Sequence, residues 1–327
     1  MLPPVKSVSV VIPSYNGRKL LEENLPALMK AVFAANVPVE VLVVDDGSSD
    51  DTLPFLEERF PTVRILANER NLGFVETMNR GIRAARNDLV LSLNNDVLVG
   101  QDLFDRTLSR FEDPAVFSVT PNVVDPRTQV NQAISMLAPG PCWFGVTPLE
   151  VSDLPDLDGD WFLFYALGGA SFYDREKLLR LGGFDPIFQP FYMEDIDLSY
   201  RAWKAGWKAV LEPRTSVWHK GGSTISGLHR RRKIKFYVDR NRTLLLWLNV
   251  TDPALILQYF LCLPFSLLYD ILTFRKYKFV GFFLALKYLP RIPALRKARK
   301  ELFTVSDREV IALVRRRRTR RRRNAPV

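Results

Sequence analysis

The sequence predicts an α/β protein: a mostly parallel sheet flanked by helices, with a helical C-terminal appendage of different character. Two observations predict the sheet. Short β-branched apolar runs alternate with segments of helical period through the first hundred residues. Those runs are apolar at nearly every position rather than every second one, which marks strands buried on both faces. The appendage is predicted by two apolar, aromatic-rich stretches at 254–272 and 279–286, flanked by Lys and Arg.

Residues 8–12 (VSVVI) form the first predicted strand, ended by Pro13-Ser14-Tyr15-Asn16-Gly17. A helix over 18–35 follows, with Leu20, Leu21, Leu25, Leu28 and Val32 near a 3.6 period. Residues 39–44 are a second strand, closed by Asp45-Asp46-Gly47-Ser48-Ser49; 52–60 is helical and 63–66 a third strand. A helix over 73–86 and a strand over 89–93 complete the series. Beyond it, 116–124 reads as a strand and 139–159, rich in Pro, Gly and Asp, as a long loop. Helices are expected over 174–181, with Asp174 as N-cap, and over 194–206, before a strand at 209–211. A basic-to-Leu-rich helix spans 230–249, and there is no internal repeat.

Hydrophobic residues make up 47% of the 327, enough for a sizeable core. The net charge of +10 is local: from Arg291 onward fourteen Lys or Arg face three acidic residues, leaving the preceding 290 residues near −1. A neutral body without a reading motif argues against a nucleic-acid partner. Cys142 and Cys262 form neither a disulfide framework nor a zinc pattern. No secretory signal is expected ahead of the first strand.

In a parallel sheet the loops after successive strands open on one edge, at the strands' carboxyl ends. Segments 13–17, 45–49, 68–73 and Asn94-Asn95-Asp96 should therefore line one crevice. Tyr15 offers a ring to stack on a base, and Asp45 or Asp46 a carboxylate for the imide N–H of uracil or thymine. Each loop alone is ordinary turn chemistry; the set points to a nucleotide site. Asp96, at a strand end, suits a hard divalent cation held against a diphosphate. Glu194, Asp195 and Asp197 crowd one helix start. The helix dipole alone accounts for acidic residues there, but crowded carboxylates also raise one another's pKa toward that of a general base. Asp197 is the one expected to be structural. His219, one of two histidines, is followed by Lys220-Gly221-Gly222-Ser223, a turn able to approach a phosphate, and could complete a metal site.

Together these residues resemble the family-2 glycosyltransferases. VSVVIPSYN at 8–16, VVDDGSSD at 43–50, NERNLGF at 68–74 with Asn79-Arg80-Gly81, and LNND at 93–96 are similar to the family's successive motifs. Gly168-Gly169-Ala170, Gly182-Gly183-Phe184-Asp185, the Glu194-Asp195 pair and Trp218-His219 resemble its rhamnosyltransferase-like branch. The resemblance runs from about Val8 to about Ser223, in order, and implies a GT-A fold. Its nucleotide-binding half would span 1–100 and its acceptor-binding half 101–228, ahead of a helical region at 229–300 and a basic, disordered tail at 301–327. It implies an inverting transfer in which Asp195, with Glu194 beside it, is the base. Asp96 and His219 would hold Mg²⁺ or Mn²⁺. Pro13, Tyr15, Asn16, Asp45, Asp46, Ser48, Asn71, Gly73 and Asn79 would hold the nucleotide. Asn94, Asn95 and Asp96 would face the diphosphate and donor sugar, and Gly169 and Trp218 the acceptor. The donor class is a UDP- or dTDP-sugar, dTDP-rhamnose among them. The acceptor is a lipid-linked or cell-surface glycan. Asn94 and Asn95 stand where many members carry an Asp, and no Gln-x-x-Arg-Trp follows the acidic pair, which argues for transfer of one or a few sugars.

Residues 254–272 are barely long enough to span a bilayer, with Pro264 near the centre and Asp270 near the end. With 279–286 they suit an interfacial hairpin at the cytoplasmic face of the cell membrane, peripheral or monotopic, the basic tail adding attraction to anionic lipids. Two rival readings are a sugar-nucleotide-binding protein without catalysis and a sugar-phosphate nucleotidyltransferase. The second calls for a basic, Gly-rich first loop that 13–17 does not supply.

Overall fold

The computed structural model describes residues 6–133, 135–139, 144–148, 161–190, 192–219, 231–274 and 276–322. Its centre is a nine-stranded mixed sheet. The strands are β1 (Val8–Ser14), β2 (Val39–Asp45), β3 (Arg64–Ala67), β4 (Leu89–Leu93), β5 (Val97–Val99), β6 (Val116–Val124), β9 (Trp161–Phe162), β10 (Ala170–Asp174) and β11 (Lys208–His219). They run in the order β3-β2-β1-β4-β10-β6-β11-β5, with β9 paired to β11. β7 (Ser135–Pro139) and β8 (Phe144–Pro148) form a separate antiparallel hairpin.

The first four strands of that order are parallel, as their uniformly apolar character predicts. Strand alternation sends Val8, Val10 and Ile12 to one core and Val11 to the other. Leu42 and Val44 likewise part from Val41 and Val43, and Val90 from Leu89, Leu91 and Leu93. Helix α1 (Arg18–Ala34) covers one face with Leu21, Leu25 and Leu28. Helix α3 (Phe74–Ala84) covers the other with Val75, Met78 and Ile82, while α2 (Thr52–Arg59) joins the α1 side through Phe55 and Leu56. Each fully buried aliphatic side chain contributes about 1.5–3 kcal/mol.

The second half departs from the parallel pattern. β10 inserts antiparallel between β4 and β6, and β11 runs parallel to β6 but antiparallel to β5. The strand expected at 209–211 is the middle of the longer β11. Helices α4 (Leu103–Leu108), α5 (Arg175–Arg180) and α6 (Glu194–Lys204) complete this half. Asp174 caps α5, its side chain accepting from Lys177 N at 3.2 Å. The long loop expected at 139–159 is corrected at its start, where β8 belongs to a hairpin. Residues 149–160, the Gly-Gly-Ser turn at 221–223, Cys142 and the chain end at 323–327 lie outside the described residues.

The C-terminal region carries α7 (Arg231–Asn249), α8 (Pro253–Leu272), α9 (Lys276–Leu286), α10 (Ile292–Lys300) and α11 (Asp307–Arg322). Within the tail expected to be disordered from 301, helix α11 starts on Asp307, which is fully buried. Its carboxylate accepts from Tyr200 OH at 2.6 Å, Lys204 Nζ at 3.1 Å and the Thr251 and Asp252 amides at 2.7 Å. In α10, Arg299 reaches the equally buried Asp197 at 2.6 Å and also pairs with Asp185. A segment dominated by Arg is thus anchored by one acid and one cation in the core.

Helix α8 is long and apolar enough to cross a membrane, with mean hydropathy 1.8, and little of it is buried. Pro264 does not interrupt it. Asp270 does not face outward either. It is buried beside a cavity of about 80 Å³ that Asp239, Arg242 and Lys278 also line. The outward surface carries Phe260, Phe265, Leu257, Leu261, Leu268 and Leu272, all more than half exposed.

Candidate active site

The carboxyl ends of β1, β2 and β4 bring the predicted loops together. Ser14, at the end of β1, accepts from Asn95 Nδ2 at 3.0 Å, joining the first loop to the fourth. Asn16 N donates to Ser48 Oγ at 2.8 Å, and Asn16 Oδ1 accepts from Ser49 N at 2.8 Å, joining the first to the second. Asp45 Oδ2 accepts from Ser48 N at 2.9 Å, and its other oxygen takes the Ser48 hydroxyl. Asp46 accepts from the Leu72 and Gly73 amides at 2.8 and 2.9 Å and from Asn68 Nδ2 at 2.8 Å, so it shapes the third loop. Gly47 makes this possible: φ is +73°, and a Cβ there would stand 2.7 Å from Arg70 Cα. Pro13 and Tyr15 are half-buried and Asn71 exposed around these loops.

The Asn79 amide is spent on Phe184, donating to the carbonyl at 2.7 Å and accepting from the amide at 2.9 Å, and it is buried. It clamps the Gly182-Gly183 turn.

The fourth loop meets the far end of β11. The register sets His219 opposite Val97, next to Asp96, and His219 Nε2 lies 3.3 Å from Asp96 Oδ1. Gln132 orients the ring: its Nε2 donates to the His219 carbonyl at 3.1 Å, so its Oε1, at 2.8 Å, must accept from Nδ1. Nε2 then faces the Asp96 carboxylate, either as a second N–H donor in the imidazolium or as a lone pair in the neutral ring. In the neutral ring the two acceptors could share a cation. Ligands at about 2.1 Å and a right angle stand about 3 Å apart, near the observed spacing. A histidine held through its other nitrogen is the usual metal-ligand arrangement. Among the described residues no group of three or more His, Cys, Asp or Glu is placed to hold a metal ion. Strand alternation sends Trp218 to the opposite face of β11 from His219, paired with exposed Leu98.

The acidic cluster sits at the start of α6. Asp195 Oδ1 accepts from its neighbour Ile196 N at 2.8 Å, and Oδ2 faces Gly168 N at 3.4 Å. Asp195 stays partly open to solvent, while Glu194 is buried with Oε2 lacking a hydrogen-bond partner among the described residues. Burial pushes both carboxyls above the usual carboxylate range, Glu194 further because the Asp195 charge adds to it. Asp197 differs. Burial opposes its charge, but Arg201 and Arg299 outweigh that and hold its pKa low. It is the structural member of the three.

Contacts join the two carboxylate sites. Gly168 meets Asp195, and the next residue, Gly169, packs on Asn94, two positions before Asp96. A Cβ on Gly169 would fall 2.3 Å from Asn94 Nδ2, and Asn94 N donates to the Gly169 carbonyl at 2.8 Å. Gly168 and Gly169 therefore connect the Asn94–Asp96 loop to Asp195. Sequence reading missed Gln132, a polar residue outside any motif, and the helix α7 residues Arg240 and Asn241, which hold the turn before α6.

The mixed sheet with its flanking helices has the architecture of the GT-A fold. The family description "Glycosyltransferase like family 2" matches residues 3–239, and the chain belongs to that family: it is a glycosyltransferase. The chain is 29% identical over 271 residues, 71% of its length and 84% of the relative's, to the N-acetylglucosaminyl-diphospho-decaprenol L-rhamnosyltransferase of Mycobacterium tuberculosis. In fold it resembles GalNAc-T7 crystallised with UDP, GalNAc and Mn²⁺, with TM-score 0.58 and 19% identity over 75% of this chain and 48% of that one. It also resembles a Pyrobaculum calidifontis mannosyltransferase in complex with GDP-Man and Mn²⁺, with TM-score 0.52 and 18% identity over 90% and 73%.

Proposed function

We propose that the protein transfers a single sugar, with inversion, from a UDP- or dTDP-sugar to a lipid-linked or cell-surface glycan at the cytoplasmic face of a membrane. One observation carries the reading: Gly168 lies against the raised Asp195 carboxylate and Gly169 against Asn94, two residues before Asp96, which stands 3.3 Å from His219. The name of the mycobacterial relative supports a deoxysugar donor, dTDP-rhamnose first, and a polyprenol-linked acceptor.

Asp96 and His219 would hold Mg²⁺ or Mn²⁺, with Asn94 and Asn95 beside the diphosphate. Such an ion neutralises the charge that leaves with the nucleoside diphosphate. Tyr15, Asp45 and Ser48 line the nucleoside end. Asp195 orients the acceptor hydroxyl and takes its proton as the oxygen bonds to the anomeric carbon. The bond from that carbon to the diphosphate breaks, and its electron pair leaves with the diphosphate. A base held above the ordinary carboxylate range is matched to a proton of this kind near neutral pH. Glu194, more strongly raised, keeps its proton and so leaves one negative charge at the site. The exposed apolar surface of α8, with α9 and the Arg-rich α11, would lie against the membrane where a lipid-linked acceptor is anchored.

The test is a thermal-shift screen of UDP-, dTDP- and GDP-sugars with Mn²⁺, followed by donor turnover in the wild type and in Asp195→Asn. The reading expects stabilisation by UDP- or dTDP-sugars and turnover lost in the variant with donor binding retained. Stabilisation by GDP-sugars alone, or full turnover in Asp195→Asn, contradicts it.

A further inference from the structure

We infer that Arg240 and Asn241, on helix α7, are positioning residues for the Asp195 carboxylate; the inference rests on the reading of Asp195 as the base. The chain enters α6 through Tyr192 and Met193, both at positive φ, 67° and 80°. Backbone of this kind is disfavoured for residues with a Cβ and persists only where its surroundings hold it. Asp195 lies two residues further on, in the first turn of the helix, so the turn sets the direction of its side chain.

Asn241 and Arg240 hold that turn from the next layer. Asn241 Nδ2 donates to the Phe188 carbonyl at 2.6 Å and to the Tyr192 carbonyl at 2.8 Å, the latter one peptide before Met193. Asn241 Oδ1 accepts from Arg240 Nε at 2.9 Å and Nη2 at 2.7 Å. The same Nη2 donates to the Gln189 carbonyl. Both side chains are buried, and the guanidinium lies 4.8 Å from the Tyr237 ring centroid and 5.5 Å from that of Tyr288. Helix α9 locks the clamp from behind: a Cβ on Gly281 would stand 2.7 Å from Arg240 N. A helix outside the sheet thus fixes three carbonyls of the turn that aims the base.

The experiment compares Asn241→Asp with the wild type in Mn²⁺-dependent turnover of the donor that stabilises the protein most in the screen. The replacement keeps shape and the Arg240 partner but turns both donors into acceptors facing carbonyls. A misaimed base predicts kcat lower by about 10- to 100-fold, donor KM within about twofold, and the rising limb of the pH–rate profile displaced. Asn249→Ala is the control. Asn249 is a second buried asparagine on α7 that bonds Asp197 and not the turn. It should lower Tm and leave that limb in place. Should Asn241→Asp not fold, Arg240→Lys, which loses the fork between Gln189 and Asn241, carries the same comparison. Wild-type kcat and pH profile beside an inactive Asp195→Asn overturn the inference alone. Loss of kcat and donor affinity together, with the limb unmoved, overturns it too. Absence of turnover in the wild type, or full turnover in Asp195→Asn, overturns the reading of the base and this inference with it.

Discussion

Arg299→Ala tests whether the C-terminal helices are built into the catalytic unit. Arg299 Nη1 lies 2.6 Å from Asp197 Oδ1 and 2.7 Å from Asn249 Oδ1, and its other arm pairs with Asp185. Asp197 is fully buried, so truncation leaves it with Arg201, at 2.7 Å, as its one charged partner among the described contacts. Breaking a buried pair in this way costs about 3–5 kcal/mol, which at about 2 °C per kcal/mol for a large domain lowers Tm by roughly 6–10 °C. The pH dependence follows from the sign of the shift. The Asp197 pKa is depressed in the fold, so its stabilising contribution is present above the unfolded value near about 4 and fades as pH falls through the lower folded value. The Tm gap between wild type and variant, followed by calorimetry, should therefore be full at neutral pH and shrink in acid. A variant with wild-type Tm at pH 7, or a gap that widens on acidification, refutes the assignment.

The raised Asp195 carboxyl has the opposite sign. Ionising it costs stability above about pH 4, so Asp195→Asn should raise Tm at pH 7 and lose that gain in acid; a lowered Tm at neutral pH contradicts the burial argument. For the same reason turnover should fall as pH drops through a value above the ordinary carboxylate range, and a limb at that ordinary value would point to another base. Gln132→Ala, which frees the His219 ring, should weaken Mn²⁺ binding by about 10- to 100-fold, read by titration calorimetry; unchanged affinity removes His219 from the ligands. Replacing Phe260 and Phe265 together by Ser should reduce sedimentation with anionic vesicles without lowering Tm, since both side chains are more than half exposed; unaltered sedimentation argues against that surface.

The first half of the fold is legible because its determinants are local. The β1, β2 and β4 segments are apolar at nearly every position, and Asp45, which ends β2, bonds its own loop through Ser48. What sequence reading missed is non-local. β10 is a five-residue segment whose place between β4 and β6 is set by partners some fifty to eighty residues earlier. Asn79 carries a motif position, yet its bonds go to Phe184, 105 residues away. The basic C-terminus looked unstructured because charge dominates it, while Asp307 and Arg299 reach acids, lysine and tyrosine a hundred residues back. Asn241 did leave a trace: asparagine is a poor helix former, and one inside a Leu-rich helix marks a site where its amide is used.

The most direct measurement is a structure of the protein with Mn²⁺ and an intact UDP- or dTDP-sugar. The account predicts the ion bound by Asp96 and His219 Nε2 against the diphosphate, and the anomeric carbon separated from the Asp195 carboxylate by the space of one acceptor hydroxyl. A metal held elsewhere, or a sugar whose anomeric carbon faces away from Asp195, would contradict it.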